Sequence, residues 1–278
     1  MVKLFTHLLA ILTLTSVFEY SASASQQQVI ETLTYFENPS AKTCEINIKN
    51  IVKDGSLPPI EKTDDINEND KDICIIFLCR HGKTASNKLK IIQGVSVNDS
   101  ILETEIEKCK QYADYLKKNN FNFENCYSSD LHRAQETLKG IIQSSGIESS
   151  KMEIEKAFTD VDYGDFEKKQ IADVIDTPEF NKMYEDLDCT APNGKDTYKN
   201  VIIRMFDALN EIATDHLGQK ALVVSSQYPI NLFCALVNGK FFREVENFSK
   251  IKILWKPGVF DEKLQKYSEP AKIKIIKE

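Results

Sequence analysis

Cys74-Ile75-Ile76-Phe77-Leu78-Cys79-Arg80-His81-Gly82-Lys83-Thr84 is the stretch whose reading decides the fold. Five apolar residues, Cys74 to Leu78, run straight into an Arg-His-Gly-x-Thr turn. A short apolar run rich in β-branched residues reads as a buried strand. The turn then sets an arginine, a histidine and a flexible glycine at the carboxyl end of that strand. In open α/β sheets this edge is where ligands sit. The chain has only 4 histidines, and one of them is here.

Working outward, strand and helix patterns alternate. Residues 102–118 carry an apolar stripe at Leu102, Ile106, Cys109, Ala113 and Leu116, which predicts a helix. Residues 123–127 read as a second strand. Asp130 is expected to cap a helix bearing Leu131, Ala134, Leu138, Ile141 and Ile142, with Gly146 just beyond it. Residues 152–157 read as a strand, 177–187 and 196–217 as helices, and 221–225 as a strand. A helix over 229–237 and late strands over 251–255 and 273–276 complete the pattern. This order predicts an α/β fold, a mainly parallel sheet with helices on both faces.

Two blocks of sequence resemble the histidine phosphatase superfamily, also called phosphoglycerate mutase-like. The first is Arg80-His81-Gly82-Lys83-Thr84-Ala85-Ser86-Asn87, followed by Gln93-Gly94. The second runs from Tyr127 through Ser128-Ser129 and Arg133-Ala134 to Thr137. The resemblance covers roughly residues 72–240. It implies that His81 forms a phosphohistidine while Arg80 and Arg133 bind the phosphoryl group. A neutral imidazole is a competent nucleophile, and a guanidinium fork suits phosphoryl oxygens. Asn87 falls where it lines the pocket, or serves as a local turn residue. Arg133 falls in the first turn of a helix, whose N-terminus already favours anions. Asp160, in Phe158-Thr159-Asp160-Val161-Asp162-Tyr163-Gly164, takes the place of the acidic proton donor, with Asp162 as its rival.

The pattern breaks at Leu222-Val223-Val224-Ser225-Ser226-Gln227-Tyr228-Pro229. The second catalytic histidine of the family would fall on Ser226. Neither His132 nor His216 is placed to substitute. His132 points about 100° away from Arg133 around its helix, and His216 ends a helix before a strand, at the opposite edge of the sheet. Ser226 is expected to cap the following helix, leaving its N–H groups for an anion, with Gln227 as an amide donor. Lys195 and Asp196 stand where relatives usually carry Glu-Ser, and Lys168 replaces a glycine. The resemblance therefore leaves two readings: a phosphomonoester phosphatase, or an inactive relative that binds a phosphorylated small molecule or protein. A mutase is disfavoured, because no mutase-like substrate loop is recognisable.

Composition sets further bounds. Over 278 residues, 42% are hydrophobic, enough for a real core, and the net charge is −7. That charge gives nucleic acid or an anionic membrane no electrostatic support as a partner. Lys3, an apolar run over 4–18 and the small-x-small pattern Ala22-Ser23-Ala24 read as a signal peptide over 1–24, hence an exported protein without a membrane span after cleavage. Residues 26–35 read as a short helix, and 55–71, polar, acidic and Pro-bearing, as a mobile linker. Together 25–71 form an extension ahead of a domain over 72–278. The 7 cysteines show no CxxC pattern. Cys74, Cys79, Cys126 and Cys234 are expected as small buried apolar residues. No metal-ligand spacing is present, and no cofactor is implied.

Overall fold

The quoted stretch forms strand Cys74–Arg80 (β2), in which every residue but the last is buried. The computed structural model describes residues 39–122, 124–146, 151–242, 245–261, 263–264 and 266–277. The expected signal peptide, the helix over 26–35 and Phe123 lie outside the described residues. Beside β2 lie Ile60–Lys62 (β1), Asn125–Ser128 (β3), Lys151–Ile154 (β4), Lys220–Ser225 (β5), Ile251–Lys256 (β6) and Ala271–Lys277 (β9). These make a 7-stranded sheet in the order β1-β9-β6-β2-β5-β3-β4. The pairings β2/β5, β5/β3, β3/β4 and β1/β9 are parallel, whereas β6 is antiparallel to both its neighbours. A small hairpin, Val259–Asp261 (β7) and Lys266–Glu269 (β8), stands apart from the sheet.

Because side chains alternate along β2, the strand feeds two cores. Cys74, Ile76 and Leu78 face one side with Phe206, Phe233 and Trp255. There Trp255 stacks on Phe233 with ring centroids 5.7 Å apart. Helices on this side include Tyr198–Asp215 (α6) and Gln227–Asn238 (α7). Ile75, Phe77 and Cys79 face the other side, with residues of Ile106–Lys118 (α3) and His132–Ser145 (α4). Burying each such large side chain stabilises the fold by about 1.5–3 kcal/mol. The four cysteines expected in the core are buried there. Burial pushes the Cys74 and Cys126 thiols up to about 12.

The segment ahead of residue 72 departs from expectation. Pro39–Ile51 (α1) buries Cys44, Ile48 and Ile51 in the same core as α6 and α7. Its Ser40 hydroxyl donates to Glu185 in Pro178–Glu185 (α5) at 2.9 Å. Residues 55–71 are not a free linker. They contribute β1 to the sheet edge and bury Leu57, Thr63 and Ile66. Isolated apolar residues among acids hid this, because a three-residue strand has no periodicity to read. The folded unit therefore begins before residue 72. Asp130 is not the helix cap either: Leu131 takes the N-cap position, without a side-chain bond. The Asp130 carboxylate instead accepts the Thr159 hydroxyl.

Gly164 sits at φ +49, and a Cβ there would lie 2.3 Å from both Gly194 N and Pro192 O. Both obstacles are backbone atoms. Gly164→Ala is expected to lower stability by at least ~2 kcal/mol, since the left-handed conformation alone costs about 1–2 kcal/mol. Urea unfolding checks it, and an unchanged midpoint would contradict this packing.

Candidate active site

Strands β2, β5 and β3 lie side by side and finish at one edge. Arg80 pairs with Ser225, and Ser128 with Val224. The residues just past each strand are therefore delivered to the same place: His81 after β2, Ser226 after β5, Arg133 in α4 after β3, and Asp160 in the loop after β4. β6 runs antiparallel to β2 with Ile251 opposite Leu78, so it starts at this edge, and Asn247 just ahead of it reaches His81.

His81 is 2% exposed. Its N–H donates to Ser225 O at 3.0 Å, and its carbonyl accepts Asn247 Nδ2 at 2.6 Å. Its Nδ1 lies 2.8 Å from Gly82 O. A carbonyl only accepts, so Nδ1 carries the proton. Nε2 is then the lone-pair nitrogen, and it accepts Arg133 Nε at 3.1 Å. Burial first, then the Arg133 and Arg80 charges, hold the imidazole well below its usual 6.5. The ring is thus neutral, with its nucleophilic nitrogen turned to the guanidinium.

Arg133 is 1% exposed. Besides His81, its guanidinium donates to Gly94 O at 2.9 Å, Val97 O at 3.1 Å and Asp160 Oδ2 at 3.0 Å. Glu167 shapes the Gly94 loop by accepting the N–H groups of Val95, Ser96 and Tyr163. Its carboxylate leaves no room for a Cβ at Gly94, which sits at φ +52. Thr137 accepts Gly82 N–H at 2.8 Å and donates to Arg133 O at 2.6 Å, tying the two motifs together. Arg80 Nη1 donates to Val245 O at 2.8 Å. Its charge also reaches His81 and Asp160.

Asp160 is only 13% exposed at its side chain. Burial raises its pKa above 3.8 despite the opposing Arg133 charge and the Val161 N–H bond. A carboxyl that keeps its proton into the milder pH range can act as an acid. The Ser226 hydroxyl is near enough to favour the ionised form, yet makes no regular hydrogen bond and is fully buried. The rival Asp162 is used locally, accepting Gly164 N–H at 3.0 Å and Lys195 N–H at 3.2 Å.

Arg80, His81, Arg133, Asp160 and Ser226 thus come together. Asn87 does not join them by a hydrogen bond. It forms a capping box with Thr84 at the start of Ala85–Lys88 (α2), its Oδ1 taking the Thr84 N–H at 3.2 Å. Ser226 is the N-cap of α7, but its hydroxyl makes no cap bond. The first N–H groups of α7 are therefore not occupied by that side chain, and half-buried Gln227 opens the helix. His132 pairs with Glu136 at 3.0 Å, and His216 Nε2 lies 2.7 Å from Tyr127 OH. Neither bonds to the His81 cluster. The reading from sequence assigned no role to Glu167, Thr137 or Asn247. Glu167 directly precedes Lys168, which stands where the resemblance expects a glycine; Asn247 gave no signal.

A neutral buried imidazole, two guanidinium groups and a carboxyl whose burial favours its protonated form stand at one sheet edge, equipped for phosphoryl chemistry. The family model of the histidine phosphatase superfamily (branch 1) matches residues 76–254. The fructose-2,6-bisphosphatase TIGAR of Mus musculus is 28% identical over 153 residues, 54% of this chain and 55% of that protein. The 2,3-bisphosphoglycerate-dependent phosphoglycerate mutase of Treponema denticola is 40% identical over 67 residues, 24% of this chain and 27% of that protein. The chain thus spans about half, or less, of the length of these relatives. A solved phosphoglycerate mutase from Bacillus anthracis str. Sterne superposes with a TM-score of 0.57 at 22% identity, covering 74% of this chain and 95% of that one. The phosphoserine phosphatase from Entamoeba histolytica, solved with 3-phosphoglyceric acid, gives 0.54 at 18% identity, covering 70% and 94%. These two likenesses show the fold, and the family match over 76–254 carries the conclusion that the chain belongs to the histidine phosphatase superfamily, branch 1.

Proposed function

We propose that this chain is a phosphomonoester hydrolase that works through a phosphohistidine on His81. The observation that supports it most is the shared guanidinium: Arg133 touches both the lone-pair nitrogen of His81 and the carboxyl of Asp160. Nε2 attacks phosphorus as the bond to the leaving oxygen breaks. Asp160 gives its proton to that oxygen. Water then attacks the phosphohistidine, its proton passes to Asp160, and the P–N bond breaks to restore the imidazole. Arg80, Arg133 and the α7 N–H groups hold the phosphoryl oxygens. The signal-peptide reading of 1–24 makes the substrate a phosphorylated small molecule or phosphoprotein met after export. Alkaline quenching during turnover of 4-nitrophenyl phosphate, followed by peptide mapping, tests the mechanism. Phosphate on His81 is expected; turnover with no label there would refute it.

Activity then depends on pH with two opposed limbs. His81 must be neutral, so kcat/KM rises with pH through a range well below 6.5. Asp160 must be protonated, so kcat/KM falls as it ionises above 3.8. On benzyl phosphate, whose alkoxide leaving group needs a proton, Asp160→Asn is expected to lower kcat by about 10²–10³-fold and remove the falling limb. A limb that survives in this variant belongs to another group.

Ser226 supports a second reading, an anion binder that turns over little. Its buried hydroxyl has no regular hydrogen-bond partner, and it stands where the resemblance places a second histidine. Under this reading vanadate binds, weakly and with salt sensitivity, without a phosphoenzyme. Arg133→Ala should abolish vanadate binding, and His81→Ala should weaken it less. Thermal shift at millimolar vanadate checks this, and no response from folded protein would exclude both readings.

A further inference from the structure

We infer that Arg204 is a positioning residue for the proton donor, acting through the backbone of residues 157–160. The inference rests on the assignment of Asp160 as general acid. Arg204 projects from α6, a polar side chain amid Ile202, Ile203, Met205 and Phe206. Its Nη1 donates to Ala157 O at 2.5 Å and its Nη2 to Asp160 O at 3.1 Å. The same Nη2 donates to Asp196 Oδ2 at 2.8 Å. One guanidinium therefore grips both ends of the four-residue segment that carries the acid.

The residues between are held from other elements. Ser225, the last residue of β5, donates its hydroxyl to Phe158 O at 2.7 Å, and Phe158 is fully buried. The Thr159 hydroxyl donates to the Asp130 carboxylate, just before α4. Residues 157–160 are thus tied to α6 at both ends, and between them to β5 and to the residue two before α4. Asp196 offsets the Arg204 charge, so Arg204 acts on Asp160 through geometry rather than through its field. Two carbonyls and a carboxylate on one side chain need a planar fork, which lysine lacks. A misplaced acid loses its contribution to leaving-group departure while the nucleophile and the phosphoryl donors stay in place.

The test compares leaving groups in Arg204→Lys. On 4-nitrophenyl phosphate, whose leaving group needs no proton, kcat should fall less than about threefold. On benzyl phosphate, whose alkoxide needs one, kcat should fall about 10²-fold, with KM unchanged on both. Equal losses on the two substrates, or none on benzyl phosphate, would overturn the inference. Asp196→Asn, a milder change, should show the same selectivity at smaller size, and serves if Arg204→Lys does not fold. A second readout needs no turnover. Val161 N–H donates to Asp160 Oδ1 at 3.0 Å, and its hydrogen exchange should quicken about tenfold in Arg204→Lys. Gly82 N–H, held by Thr137, should not change. Unaltered Val161 exchange would overturn the inference. A wild-type protein with no phospho-His81 would refute the hydrolase mechanism and leave this exchange result to be read on its own.

Discussion

Alanine in place of His81 is expected to lower turnover by at least ~10⁴-fold and to abolish the labelled phosphoenzyme. Loss of a nucleophile in a catalytic unit has effects of this order or larger. Among the described residues no other imidazole stands in reserve: His132 is paired with Glu136, and His216 lies by Tyr127. The substitution should leave the fold intact, because the bonds that place residue 81 are made by its backbone. Ser225 O takes its N–H and Asn247 Nδ2 meets its carbonyl whatever the side chain. Removing the ring leaves Arg133 with its bonds to Gly94, Val97 and Asp160, so the guanidinium stays in place. Vanadate should consequently still bind. Steady-state turnover, label incorporation and unfolding midpoint together decide the point. Activity within tenfold of wild type in a folded variant would move the nucleophile elsewhere.

The sheet edge was legible in the sequence because two kinds of signal coincide there. The run 74–78 is too short and too apolar for a surface element, and it ends in residues whose chemistry is specific. β5 and the blocks around Arg133 and Asp160 repeat that arrangement. Where one signal stood alone, the reading failed. Asp130 has the side chain of a helix cap, yet Leu131 takes the N-cap and Asp130 serves Thr159. Asn87 left two readings open, pocket or local turn, and its bond is the local one, in the capping box that Thr84 starts at α2. A short polar side chain has several partners within reach, and packing selects among them. β1 escaped notice because three residues at a sheet edge need only a neighbour, and β9 supplies it from the other end of the chain.

The supporting residues were less legible still, for a related reason. Glu167, Thr137 and Asn247 act on backbone groups of distant segments. Nothing in the local sequence records that Glu167 receives three N–H groups, or that Asn247 reaches His81 O. Such residues fix the geometry on which the chemistry depends. They also hold the site's form without help from position 226. The frame around Arg133 is built from carbonyls of Gly94 and Val97, and position 226 takes no part in it.

Ser226→His is expected to raise kcat by about 10²–10³-fold, the usual value of one preorganised donor to a developing charge. Position 226 follows β5 directly, has extended backbone at φ −105 and ψ 167, and begins α7. Its hydroxyl makes no cap bond and no other regular bond, so little is lost with it. An imidazole there stands beside Asp160 and between the β2 turn and the α7 N-terminus. Asp160 favours its protonation, whereas burial and the two arginines oppose it. The gain should therefore grow as pH falls, until His81 itself takes up a proton. Two controls separate chemistry from packing. Ser226→Ala should leave turnover within about twofold, since the hydroxyl makes no regular hydrogen bond and only brushes Asp160. Ser226→Asn adds a smaller donor, and should give part of the gain if the imidazole proves too large for this buried position. Unfolding midpoints identify a variant that has lost its fold. Folded Ser226→His with unchanged turnover would mean that position 226 does not face the phosphoryl group, and the alignment of β5 with the second-histidine motif would have to be abandoned.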